Sequence, residues 1–192
     1  VREMSFSELK RYLAYGIPLT LFALSAFLMR YTDRYMISIF RGVDEVGLYS
    51  FACLLPQRTI EMIIGVVALG AYPIIVREWE NKSPQAATDI TSNLARYHML
   101  LTFPIAIILL IFPKEILTLA GTSNYVTAYR AIPFVTIATY FTSIAWFSAI
   151  AFHFSTRTGQ LLLISFLSLA VNVILNLLTV PRWGYQGAAF ST

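Results

Sequence analysis

One cysteine and two histidines are all that 192 residues supply of the usual metal-binding and redox side chains. A lone Cys53 builds neither a disulfide framework nor a zinc site, and in an apolar setting it packs as a small hydrophobe. Charge is scarce too: 12% of residues are Asp, Glu, Lys or Arg, against 57% hydrophobic. Soluble domains average about 25% charged and roughly 45–50% apolar, so disorder and coiled coil are excluded and an integral membrane protein is indicated. The net charge of +4 comes from scattered basic residues, not clustered with stacking aromatics, which speaks against nucleic acid. No GxSxG, P-loop, HExxH or GxGxxG pattern occurs, and no aspartate-rich magnesium motif. Only Asp33 and Glu61 are acidic within apolar segments, too few convergent groups for an active site. The expectation is therefore no enzyme, no cofactor and no metal. The opening VREMSFSELK has no hydrophobic signal core. A first residue that is Val, and an apolar segment just beginning at GAAFST, predict a piece of a longer membrane protein.

What the chain has in quantity is apolar sequence, and Val46 to Val76 is its centre. Neither the part before Gln57 nor the part after Glu61 reaches the roughly 20 apolar residues a bilayer span requires, so the two form one span. Arg58 and Glu61 then lie near the bilayer midplane, three residues apart and neighbours on one helix face. A charge at that depth costs several kcal/mol unless it is paired or lines a wet cavity. Two roles remain open, an ion pair that fixes packing and a cavity lining. Pro56 removes a backbone hydrogen bond and predicts a kink beside Arg58. Gly65 and Gly70 leave room for close helix approach.

An earlier segment runs from about Leu9 to Phe40, with Gly16 and Pro18 in its first turns. Near its far end Arg30, Asp33 and Arg34 share one face by their three- and four-residue spacing. They either reach the far interface and snorkel to water or face an interior cavity. Arg41 to Glu45 reads as a tight polar connection. Arg77 to Ser92 is the longest polar stretch and is expected in water, with Trp79 at the interface. A third span runs from about Leu94 to Phe112, placing His98 near the surface. Ile116 to Ala120 reads as a short interfacial helix, followed by the turn GTSNY. A fourth span, from about Ala128 to Phe154, is rich in aromatics and ends at His153. The fifth, from about Leu161 to Val180, carries Ser165, Ser168, Asn172 and Asn176 as one polar stripe, which either bonds helices together or lines a cavity. Pro181 to Gly184 ends it, and a sixth begins near Gly187.

The expected fold is all-α, a polytopic bundle of about five transmembrane helices plus the start of a sixth. Residues 1–192 form a single transmembrane region. Arg2, Lys10, Arg11, Arg77, Lys82, Arg96 and Arg157 fall on one side, and Arg41, Lys114, Arg130 and Arg182 on the other. The excess marks the first side, with the N-terminus, as cytoplasmic.

Several pieces have a family look. They are Tyr15-Gly16-Ile17-Pro18, Asp33-Arg34-Tyr35, Val46-Gly47-Leu48-Tyr49-Ser50, Pro73 with Arg77, Asn172 with Asn176, and Gly184-Tyr185-Gln186-Gly187-Ala188-Ala189. In this order, over nearly the whole chain, they resemble the polysaccharide flippases, the O-antigen and teichoic-acid exporters. These belong to the multidrug/oligosaccharidyl-lipid/polysaccharide exporter superfamily. The resemblance implies two helical lobes rocking around a central cavity in a bacterial-type plasma membrane, this chain matching the start of the second lobe. The first lobe would be a partner, along with the lipid bilayer and a lipid-linked oligosaccharide, a glycan on a polyprenyl pyrophosphate.

A cationic face suits a pyrophosphate, because arginine binds phosphate oxygens in bidentate fashion. Arg30, Arg34 and Arg58 are the candidate anion contacts. Asp33 and Glu61 would orient those arginines or bind a coupling cation. The alternative is a cation-coupled exporter of the multidrug and toxin extrusion type, which favours acidic residues in a hydrophobic cavity. A membrane-embedded transferase lacks its metal motif here, and only the mid-depth charges speak against a non-transporting scaffold.

Overall fold

A computed structural model of the chain describes residues 6–81, 83–119, 123–154 and 158–192. The described residues are helical nearly throughout. Helix α1, Phe6–Arg41, is 36 residues long and ends at Gly42. Gly42 has φ 90°, a left-handed backbone that glycine adopts without a Cβ penalty. The chain turns there into α2, Val43–Pro56, which continues through a π-helical turn, Gln57–Glu61, into α3, Met62–Asn81. After a turn, α4 spans Pro84–Ile111 and the short α5 spans Pro113–Leu119. A 3₁₀ run, Ser123–Arg130, leads to α6, Ile132–Phe154. Then come α7, Thr158–Trp183, and α8, Tyr185–Ser191.

Five of these stretches are long and apolar enough to cross a bilayer: Tyr12–Arg41, Val43–Asn81, Pro84–Ile111, Ile132–Ile150 and Gly159–Trp183. The all-helical expectation and the count of five spans agree with the sequence. Large apolar side chains such as Leu69, Val66 and Ile39 stand exposed along the spans, as lipid-facing residues must.

Several boundaries differ from expectation. Pro18 lies well inside α1, because the helix starts before Leu9. Arg77 to Ser92 is mostly helical: α3 continues to Asn81 and α4 begins at Pro84, with Ser83 Oγ capping it through Ala86 N at 3.1 Å. His98 is therefore not an interfacial residue. It lies several turns into α4, buried, with Nε2 2.9 Å from Ser143 Oγ of α6 and its ring against Phe147. Pro181 does not end α7; the break comes at Gly184, with φ 59°. Arg2, Lys82, Arg157 and the start of the GTSNY turn lie outside the described residues.

The largest core gathers Ile37 of α1, Tyr49, Ala52 and Cys53 of α2, Leu117 of α5, Ile132 and Val135 of α6, Val180 of α7 and Ala188 of α8. A smaller one, Ile75, Ala87 and Ile150, joins α3, α4 and α6. Thus α1, the front of α2, α7 and α8 pack as one group, and α3, α4 and α6 as another. The π-helical turn lies between them in sequence.

At the first core's end, the connection between α1 and α2 grips the break between α7 and α8. Arg41 donates to the carbonyls of Val180 (3.3 Å) and Arg182 (2.8 Å), which lie in the last turn of α7. Glu45 accepts the backbone N–H of Tyr185 at 2.8 Å, the first turn of α8. A cation thus meets a helix C-terminus and a carboxylate an N-terminus, each suited to the backbone dipole it faces.

Candidate functional site

The charged centre is built where α1 passes the π-helical turn. Proline at 56 removes one backbone N–H, and a π turn widens the i→i+4 ladder to i→i+5. Thr59 Oγ1 takes up a freed carbonyl, donating to Leu55 O at 2.7 Å. The expected kink beside Arg58 is thus a local widening of the helix. It also separates Arg58 from Glu61, since residues three apart diverge more in a wider turn. Glu61 turns instead to α1, with Oε2 3.7 Å from Arg30 Nη2.

Arg30, Arg34 and Arg58 line one cavity of about 450 Å³, together with Ser50, Gln57 and Glu61. Arg34 is held firmly: Nη1 donates to Arg30 O at 2.8 Å, Nε donates to Ser50 Oγ at 3.2 Å, and the guanidinium lies 5.5 Å from the Tyr49 ring centre. Arg58 is exposed on the cavity wall. A neighbouring cavity of about 390 Å³ shares Arg30, Arg34, Gln57 and Glu61, and extends past Asp33 and Tyr49 to Thr139, Thr142 and Thr192. Three guanidiniums outnumber the one carboxylate lining the first cavity, so it is positively charged.

Asp33 departs from the expected role beside the arginines. Its carboxylate is buried and serves as the hub of a hydrogen-bonded knot. Oδ2 accepts from Tyr49 OH at 2.5 Å and Thr192 Oγ1 at 2.9 Å. Oδ1 accepts from Asn176 Nδ2 at 2.8 Å and Asn172 Nδ2 at 3.3 Å. Residues 30, 33 and 34 of α1 diverge because successive positions turn by about 100°: the arginines flank the cavity while Asp33 points toward α7. The polar stripe of α7 faces α1, with Asn172 and Asn176 on Asp33 and Ser165 hydrogen-bonded to Ser25. Asn172 also lines a shallow cavity with Ser168, Ser191 and Thr192. Asn176 is fully buried, and its Oδ1 has no partner.

Tyr49, Ser50, Gln57 and Thr192 belong to the site although the sequence did not single them out for it. One signal was available for Tyr49: Tyr49, Ala52, Cys53 and Pro56 follow helical three- and four-residue spacing and form the buried face of α2. Thr192 comes from the fragmentary sixth helix and had none. Among the described residues no three His, Cys, Asp or Glu side chains converge as a metal site would require. The arrangement can hold an anion against guanidiniums; it has no nucleophile and base in hydrogen-bonding reach of each other within the cavity.

A model of the polysaccharide biosynthesis protein family matches residues 1–130, which contain Arg30, Asp33, Arg34, Arg58 and Glu61. An uncharacterized membrane protein of Methanocaldococcus jannaschii is 22% identical over 182 residues, 93% of this chain and 35% of that protein. The chain thus spans about a third of the length of the curated relative it matches. No solved structure matches. With a family model covering more than half the sequence, and with helices suited to a multi-pass membrane protein, the chain belongs to the polysaccharide biosynthesis protein family.

Proposed function

We propose that this region is one lobe of a flippase that carries a polyprenyl-pyrophosphate-linked oligosaccharide across the cytoplasmic membrane by alternating access. The observation that carries the reading is the cavity that Arg30, Arg34 and Arg58 line together, in the middle third of the second span. A pyrophosphate is compact and multiply charged, and guanidiniums meet its oxygens two at a time. Membrane proteins retain such charges where a polar cargo passes. The greater length of the relative supports a second lobe of the same protein across the cavity. The side bearing Lys10, Arg77 and Arg96 is assigned to the cytoplasm.

The test is export. In the intact protein, Arg58→Ala abolishes surface polysaccharide while its amount in the membrane is unchanged; Arg58→Lys retains part of the export, having the charge without the fork. Normal polysaccharide in Arg58→Ala cells would remove the anion-site role.

The Asp33 knot supports a second reading, a cation-coupled multidrug exporter. A buried carboxylate, two asparagine amides and a threonine hydroxyl offer oxygen ligands, and the free Oδ1 of Asn176 is one. In the flippase reading the same group, or Glu61, couples transport to a cation. Gradient-driven drug efflux by cells with unchanged polysaccharide would favour the exporter.

A further inference from the structure

We propose that Glu61 is the resident occupant of the anion site, a latch that the incoming diphosphate displaces. This rests on the reading of the cavity as an anion site. Glu61 lies on the same wall as Arg58, Gln57 and Arg34, yet its carboxylate is directed at Arg30. The pair is loose. Its 3.7 Å separation exceeds the roughly 2.7–2.9 Å of a charge-assisted hydrogen bond. Both side chains remain substantially accessible, 59% and 40%. A carboxylate so placed neutralises a guanidinium while the cavity is empty and gives way to a better anion, because a diphosphate brings more charge and more acceptor oxygens.

The latch has a mechanical consequence, because its two ends belong to different groups of helices. Arg30 is on α1, fastened to α2, α7 and α8 through the Asp33 knot and the Arg41 and Glu45 contacts. Glu61 is the last residue of the π-helical turn and the first link to α3, which packs on α4. The Arg30–Glu61 pair therefore bridges the junction between the groups. π turns are poorer in hydrogen-bond geometry than regular helix and recur where proteins move. Exchanging Glu61 for a diphosphate on Arg30 cuts this bridge and frees the junction. Substrate binding and helix rearrangement thus share one side chain, and the ligand's differential affinity for the unlatched state supplies the shift.

The experiment measures inorganic pyrophosphate binding to the intact purified protein in detergent, at low salt. Glu61→Gln keeps the shape and removes the competing charge. It should bind pyrophosphate about threefold to tenfold tighter than wild type, the range expected for removing one partly exposed charge. Glu61→Ala should do the same, and Arg58→Ala should weaken binding. In a Cys53→Ala background, spin labels at positions 24 and 69 report the spacing of α1 and α3. Pyrophosphate should shift the wild-type distance distribution, and Glu61→Gln should show the shifted distribution without ligand. Unchanged or weaker affinity in both Glu61 variants, with Arg58→Ala still impaired, overturns the latch and leaves the anion site standing. If wild type binds no pyrophosphate, the anion-site reading itself falls and the latch with it. A parallel titration in nanodiscs with geranylgeranyl pyrophosphate separates the sources: tighter binding than for the inorganic ion supports a membrane-borne diphosphate, and equal binding overturns the lipid-linked cargo.

Discussion

Gly184 is the residue with the least freedom to change. Its φ of 59° is strained for any side chain, and a Cβ there would sit 2.1 Å from a Glu45 carboxylate oxygen. Gly184→Ala should lower stability by about 1–3 kcal/mol, combining backbone strain with loss of the α8 cap. Asp33→Ala should cost about 2–5 kcal/mol, because it leaves Tyr49, Asn172, Asn176 and Thr192 with buried donors unmatched. Thermal unfolding in detergent, followed by fluorescence-detected size exclusion, ranks both against wild type. A Gly184→Ala protein as stable as the parent would contradict the contact with Glu45. At this scale the sequence showed which charges were out of place in an apolar chain, but not where each one pointed. Arg30, Asp33 and Arg34 were read as one face; the knot claims Asp33 because its partners lie on α7 and α8, more than a hundred residues away.

Among the elements, the π-helical turn is the one that sequence periodicity missed. Pro56 signalled a disturbance, and the simplest expectation was a kink. A π turn instead absorbs one residue without turning the helix axis sharply, so α2 and α3 read as one span of 39 residues. This yields a discriminating pair of deletions. Removing Thr59 should restore regular α-helix and keep α3 in phase, leaving Ile75 against α4 and thermal stability nearly unchanged. Export should nonetheless be lost, because Glu61 no longer meets Arg30. Removing Ile64, inside α3, should rotate all that follows by about 100° and abolish the folded protein. Equal damage from the two deletions, read by membrane yield and polysaccharide staining, would refute the turn's separable role. His98 shows the reverse failure. Its position near the start of an apolar run suggested the interface, but α4 extends back to Pro84 and carries His98 into a helix–helix contact with Ser143.

On the scale of the whole molecule, the basic residues assigned to one side do gather at one end. Arg41 touches the last turn of α7 next to Arg182, and Arg130 and Lys114 belong to the neighbouring 3₁₀ run and α5. Cysteine labelling from outside intact cells should therefore modify position 114 and spare position 80, at the end of α3. Labelling in the opposite pattern would invert the proposed topology. The number of spans and their helical class were legible because length and hydropathy alone decide what can cross a bilayer. The division of the bundle into two groups was not, since it depends on which faces meet.

Asp33 is bonded to Asn176 and Thr192, 143 and 159 residues further along the chain. During synthesis the first hairpin must therefore enter the bilayer with an uncompensated acid, and only the last helices relieve it. Insertion and final assembly are thereby separated in time, and a ribosome stalled before α7 would leave a nascent chain that quality-control proteases can recognise by that acid.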